Sequence, residues 1–243
     1  MEVDFEKKYH EVEIENWWFK SRRKYLLDLL GDVSKDSKIL DIGCSSGVFL
    51  KDLEVLGFKT EYLFGVDISE NAIANCKANG IQNAFVMDAQ DISLDEEFDI
   101  IIASDCLEHL EDDKKAISNW SRILKTGGTM YVFVPAFQSL WSHHDVVNMH
   151  FRRYTNQELK TKLVHENLTV VKSSYWNFSL FVPVYIFRKL SVFLSEDKKE
   201  KGQIIGNTTV NYILLKLLLL ENSLLKYISF PFGISTFCIA KKI

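Results

Sequence analysis

From residue 38 the chain alternates short apolar runs with longer amphipathic stretches. The runs are KILDIG (38–43), EYLFGVDI (61–68), NAFVM (83–87), FDIIIAS (98–104) and TMYVFVP (129–135), and the stretches 46–56, 70–79 and 112–124 between them read as helices. Apolar residues at consecutive positions belong to strands buried on both faces. Such strands alternating with helices form a parallel sheet covered on both sides. Right-handed crossovers wind it into a doubly wound α/β fold. Ahead of the sheet, 4–14 and 21–30 read as two short helices separated by the aromatic trio Trp17-Trp18-Phe19. Beyond 135 the pattern breaks. Residues 136–154 read as a long loop dense in His, Asp, Arg and aromatic side chains. Thr155 with Glu158 makes a capping box for a helix reaching residue 166, and 168–176 and 234–243 read as further strands.

Chemistry enters at Asp41-Ile42-Gly43-Cys44-Ser45-Ser46-Gly47, where a strand ends, the chain turns on glycine and a helix begins. Glycine permits positive φ and close approach of backbone to a ligand, and the N–H groups of a helix start can receive its polar end. The dinucleotide fingerprint G-x-G-x-x-G is not met, because Ser45 and Val48 stand at its second and third glycine positions, which disfavours a nicotinamide enzyme. A second strand ends in Gly65-Val66-Asp67, where a carboxylate can take both hydroxyls of a ribose. A third is followed by Met87-Asp88-Ala89, where one can accept from an adenine amino group. Three polar strand ends at the carboxyl edge of one sheet place a ligand there.

Composition bounds the rest. With 47% hydrophobic and 26% charged residues, 3 Pro and 11 Gly, the chain is neither collagen-like nor low-complexity. A net charge of −4 argues against a nucleic-acid partner held by a domain-wide positive field. Cys44, Cys76, Cys106 and Cys238 form no metal-ligand spacing, and the first residues lack an apolar stretch, so reduced thiols and a cytoplasmic location are expected. The charge is uneven. Residues 176–243 carry nine basic and four acidic side chains, and the same segment is rich in Leu, Ile and Phe.

Taken together, ILDIGCSSG, GVDIS, MDAQD, FDIIIASDCLEHLED and LKTGGTMYVFVPA resemble the class I S-adenosylmethionine-dependent methyltransferases over residues 20–176. The resemblance implies a Rossmann-like, mostly parallel seven-stranded sheet with an antiparallel last strand. It implies S-adenosyl-L-methionine as cofactor and S-adenosyl-L-homocysteine as product. Asp41, Gly43, Cys44 and Gly47 would surround the methionine portion, Asp67 with Ile68 the ribose, and Asp88 with Ala89 the adenine, while Ser104 and Asp105 would sit beside the sulfonium. Cys44 reads equally as a packing residue. His109, in Glu108-His109-Leu110, stands at a family-typical position and is expected near the acceptor.

Residues 142–154 resemble a D-x-x-x-x-H-x-R-R-Y segment of bacterial methyltransferases, many of them similar to polysaccharide or lipid-linked sugar enzymes. This implies O-methylation of a sugar hydroxyl on a nucleotide-linked, lipid-linked or polymeric glycan. His150 or His144, with Asp145, would remove the acceptor proton, and Arg152, Arg153 and Tyr154 would bind the acceptor. Asp145 could instead pair with Arg152 or Arg153 to pin the loop. No metal is expected, since the spacing of His143, Asp145 and His150 does not by itself specify one. Trp17-Trp18-Phe19-Lys20-Ser21-Arg22-Arg23 resembles the opening of the same group, and Trp18 would contact cofactor or acceptor. Two alternatives remain: a quinone-like, carboxylate or amine acceptor, and a cofactor-binding subunit that needs a partner for activity.

One domain over 1–243 is expected, with a helical cover (1–36), the cofactor sheet (37–176 and 233–243) and a helical insertion (177–232). The apolar segments 178–194 and 212–228 are too short or too charged to span a membrane. They read either as a lid and homodimer contact or as a peripheral membrane element through 178–228, and 195–209 read as mobile.

Overall fold

Residues 14–191 and 208–243 are described in the computed structural model of the chain. The strands are β1 (Ile39–Ile42), β2 (Leu63–Asp67), β3 (Ala84–Val86), β4 (Phe98–Ser104), β5 (Leu124–Pro135), β6 (Leu168–Trp176) and β7 (Ser235–Lys242). They form one sheet in the order β3-β2-β1-β4-β5-β7-β6. The β1–β2, β1–β4, β2–β3 and β4–β5 pairs are parallel, and β7 lies antiparallel between β5 and β6. This is the Rossmann-like sheet with an antiparallel last strand.

The described helices are α1 (Trp17–Leu29), α2 (Val48–Val55), α3 (Glu70–Ala78), α4 (Asp113–Ile123), α5 (His143–Val147), α6 (Asn156–His165), α7 (Phe181–Ser191) and α8 (Thr208–Leu224). Successive strand residues point to opposite faces, so β4 sends Ile101 and Ala103 into one core with Trp120 of α4 and Leu159 of α6. Ile100 and Ile102 go into the other core, with Leu26 of α1, Leu50 of α2 and Leu218 of α8. Helices on both faces explain why the strand residues are apolar at consecutive positions.

Three local outcomes differ from the sequence pattern. Asn16 caps α1 by accepting from Trp18 N at 2.8 Å, so the aromatic trio lies inside the first described helix instead of separating two. The loop after β5 contains a 3-10 turn (Gln138–Leu140) and α5, closed by a capping box between Ser142 and Asp145. β5 begins at Leu124, because Leu124 pairs with Phe98 before the register slips at the glycine pair Gly127-Gly128. The helix expected over 4–14 and the mobile stretch expected over 195–209 fall on residues outside the described ones, except that Ile14 is helical and Thr208 and Thr209 open α8.

The two insertion helices are fastened to the body by buried polar groups. Glu221 accepts from Phe178 N at 2.9 Å and Ser179 N at 2.7 Å, holding the entry to α7. Asn222 accepts from the Trp176 indole at 2.8 Å and donates to the Ser21 carbonyl at 2.9 Å, tying α8 to α1 and β6. Asn222→Leu leaves the Trp176 indole N–H buried without a partner and removes the second bond to the Ser21 carbonyl, and a buried unsatisfied group costs about 1–3 kcal/mol. Chemical denaturation should therefore register a loss of about 1–3 kcal/mol relative to the parent chain. Ile186, Leu190, Tyr212 and Ile213 remain exposed on these helices. Among the described residues no helix is long and apolar enough to cross a membrane.

Candidate functional site

A cavity of about 1110 Å³ opens along the carboxyl ends of β1, β2 and β4. A single small-molecule site is typically about 300–1,000 Å³, so this one has room for more than one ligand. One end is built by the glycine turn. Asp41, Gly43, Cys44 and Ser45 line it, with Gly43 at φ 75° and Ser45 at φ 49°. A Cβ on Gly43 would press on the Cys106 side chain, so glycine is required both for its φ and for space. Gly47 does not line the cavity. Its φ of 77° starts α2, and a Cβ there would run into Cys76. A bond to Cys76, then burial, push the Cys44 thiol well above its ordinary range, so Cys44 is a packing residue in the wall and not a thiolate.

Asp67 follows at the end of β2. Its two oxygens accept from Ser45 N at 3.0 Å and Ser69 N at 2.9 Å. These bonds fix the carboxylate against the glycine turn. Ile68, Asp88 and Ala89 line the same end. Asp88 accepts from Gln90 N at 2.8 Å, and the Ala89 carbonyl takes the Trp120 indole at 2.8 Å. Ser104 and Asp105 close the wall at β4. Asp105 stands at φ 53°, a conformation costly for a non-glycine residue and common at functional sites.

Arg22 reaches these two residues from α1, at 3.3 Å from Ser104 Oγ and 3.0 Å from Asp105 Oδ2, and also donates to Ser235 at 3.0 Å. It is 3% exposed and lies over the rings of Trp176, Phe133 and Trp18. Sequence reasoning quoted Arg22 inside a motif and gave it no role. The signal was its spacing, since Trp18 and Arg22 are one helical turn apart on the face that covers the cavity. Trp18 itself lines the cavity and packs edge-on against Trp176 at 5.0 Å.

The other end is built around Asp145, which is fully buried. One oxygen meets His150 Nδ1 at 3.0 Å and Arg153 Nε at 2.7 Å. The other accepts from Ser142 N at 2.9 Å and faces Arg188 Nη1 of α7 at 3.5 Å. Burial alone would raise this carboxyl, but His150, Arg153 and Arg188 overcome it and hold it well below the usual carboxylate range. With Nδ1 engaged, Nε2 is the ring nitrogen left to act, and His150 lines the cavity. His109 packs edge-on against it at 4.6 Å, because Phe151 N bonds the Glu108 carbonyl at 2.8 Å and draws the loop onto the β4 end. Burial, then His150, push the His109 pKa down to about 4. Burial and Asp105 push Glu108 well above the carboxylate range.

The remaining acceptor candidates are placed differently from expectation. Arg153 lines the cavity, but its guanidinium is engaged by Asp145 and by the Ala136 carbonyl at 2.9 Å. Arg152 pairs with Asp113 at 3.1 Å, and Tyr154, also buried, donates to Asp113 at 2.9 Å. Neither lines the cavity, because the buried Asp113 draws both toward α4. His144 lines the cavity beside Asn148, and Asp145 acts beneath the surface. Glu108 and Arg188 were also missed. Arg188 had a signal, since an arginine inside an apolar stretch must find a buried partner.

Residues 40–132 match the family model described as a methyltransferase domain. An uncharacterized protein of Haemophilus influenzae is 30% identical over 159 residues, covering 60% of this chain and 57% of that protein. A ubiquinone biosynthesis O-methyltransferase of Coxiella burnetii is 28% identical over 133 residues, covering 48% of this chain and 56% of that protein. The chain thus spans a little over half the length of these relatives. The N-methyltransferase NodS of Bradyrhizobium japonicum, solved with S-adenosyl-L-homocysteine, has a TM-score of 0.58 at 18% identity, covering 95% of this chain and 90% of that one. The fold is the Rossmann-like methyltransferase fold.

Proposed function

We propose that this chain is an S-adenosylmethionine-dependent methyltransferase that methylates a hydroxyl on an acceptor with an apolar body. What supports this is one cavity that joins Asp67 and the glycine turn to a histidine held by a buried aspartate. When bound, S-adenosylmethionine supplies a methyl group on a sulfonium, an electrophile that already carries its leaving group.

The residues present suit that cofactor. Asp67 would hold the ribose, Asp88 and Ala89 the adenine, and the backbone of Gly43 and Cys44 the methionine portion, with Asp41 behind it. Arg22 fixes Ser104 and Asp105 next to it. The chain's remaining tasks are to place the hydroxyl, exclude water and remove a proton. Trp18 of α1 and Phe187 of α7 line the cavity and act as the cover. His150 activates the hydroxyl. In the metal-free chain its Nε2 accepts the proton, and Asp145 holds the ring in the tautomer that leaves Nε2 open and stabilises the imidazolium that forms.

The glycan acceptor suggested by the loop sequence loses its anion-binding support, because Arg152 and Arg153 are neutralised by Asp113 and Asp145. An apolar wall from α1 and α7 suits a quinone-like ring better, and the Coxiella burnetii relative is named for ubiquinone biosynthesis. Asp67→Ala tests the cofactor assignment. Calorimetric titration with S-adenosyl-L-homocysteine should yield about tenfold to hundredfold weaker binding, the loss of hydrogen bonds to a charged group. Unchanged affinity would remove Asp67 from the site.

A further inference from the structure

The Asp145–His150 dyad leaves one neighbour unused. Glu108 is 1% exposed and lines the cavity, and among the described residues its Oε2 has no hydrogen-bond partner. A carboxyl oxygen that is buried beside a cavity and has no partner is costly unless something else occupies it. Two imidazoles, His109 and His150, lie beside it. One ligand atom each from Glu108, His109 and His150 lies within 4.8 Å of the others.

We propose that Glu108, His109 and His150 bind one divalent transition-metal cation of the zinc class at the acceptor end of the cavity. This rests on the methyltransferase function proposed above and changes one feature of it, the means by which the hydroxyl is activated. Two imidazoles and one carboxylate form a donor set typical of a catalytic zinc site, with a position left open for an exogenous oxygen. A cation at about 2.1 Å from each donor brings them to about 3.4 Å of one another, an inward move of about 1 Å within reach of side-chain rotation.

The outer partners are already in place. Imidazole ligands ordinarily bond a carboxylate or a backbone carbonyl through their second ring nitrogen, which fixes ring orientation. Asp145 bonds His150 Nδ1 at 3.0 Å, and the Asn148 backbone bonds the His109 ring. Asp145 is in turn held by Arg153 and Arg188, which keeps the ring it bonds at this end of the cavity. With the cation present, His150 Nε2 is a ligand and not a proton acceptor. An acceptor hydroxyl at the open position then loses its proton to bulk water more readily than a free hydroxyl does.

The test is equilibrium dialysis of the full chain against Zn²⁺, with Co²⁺ titration read by visible absorption as a second measurement on the unmutated protein. One Zn²⁺ per chain is expected, together with Co²⁺ bands of a low-coordinate imidazole–carboxylate site. Glu108→Gln, which keeps shape and removes the carboxyl ligand, should weaken Zn²⁺ binding by at least about tenfold, while loss of the exposed His165 in His165→Ala should leave it unchanged. Less than one Zn²⁺ per chain, featureless Co²⁺ spectra, or equal affinity in Glu108→Gln overturns the proposal. Titration of the same samples with S-adenosyl-L-homocysteine separates the two levels. Cofactor binding without metal binding defeats the metal site alone, and failure of both defeats the methyltransferase function as well.

Discussion

Replacing His150 with alanine should lower methyl transfer by about 10²–10⁴-fold, the range lost with a group that activates the nucleophile. Affinity for S-adenosyl-L-homocysteine should stay within about threefold of the parent, because Asp67 and the glycine turn lie at the other end of the cavity. The split between turnover and cofactor affinity is the informative part. A histidine that only packed the loop would lower both through disorder. The fall is expected with or without metal, since alanine removes the proton acceptor and the ligand alike. His144→Ala provides the contrast. His144 lines the same cavity beside Asn148, but the Asp145 carboxylate holds His150 and not His144, so His144→Ala should cost far less.

The second large effect is on stability. Asp145→Ala removes the carboxylate that neutralises Arg153, 2% exposed, and faces Arg188, 16% exposed. Breaking a buried pair by deleting one partner costs about 3–5 kcal/mol, because the remaining charge stays buried. In a chain of this size, each kcal/mol shifts the unfolding midpoint by about 2–4 °C, so calorimetry should record a fall of about 6–20 °C. Turnover should fall with it, because His150 loses the bond that fixes its ring. Asp145→Asn keeps the shape without the charge and should fall between the two. A midpoint within 2 °C of the parent would mean that neither arginine depends on this carboxylate.

Much of this arrangement was legible in sequence because it follows from periodicity and strand-end chemistry. Consecutive apolar residues in 98–104 required cover on both faces, and β4 sends alternate residues into two cores. Asp67 could be singled out because it ends the second strand, and it lies on the cavity wall. The acceptor end was less legible. Arg152, Arg153 and Tyr154 read as binding groups, with an Asp145–arginine pair as the alternative, because sequence lists charges without fixing which partners meet. Folding supplied Asp113 and Asp145, from α4 and α5, as those partners. Arg22 and Glu108 escaped for a related reason. Each gains meaning from residues more than 40 positions away: Ser104, Asp105 and Ser235 for Arg22, and His150 for Glu108. Gly47 was read as part of the cofactor wall, but it does not line the cavity, and a Cβ there would meet Cys76.

The most direct test of the central claim is a labelled-methyl transfer assay. The purified full chain is incubated with methyl-labelled S-adenosylmethionine and a panel of hydroxylated quinone-like rings, nucleotide sugars and glycolipids, and the product linkage is read by mass spectrometry. The expected result is label in an O–CH₃ group of a ring acceptor, formed by the parent chain and lost in His150→Ala. Label on nitrogen or carbon, or no transfer to any acceptor from a chain that binds S-adenosyl-L-homocysteine, would contradict it.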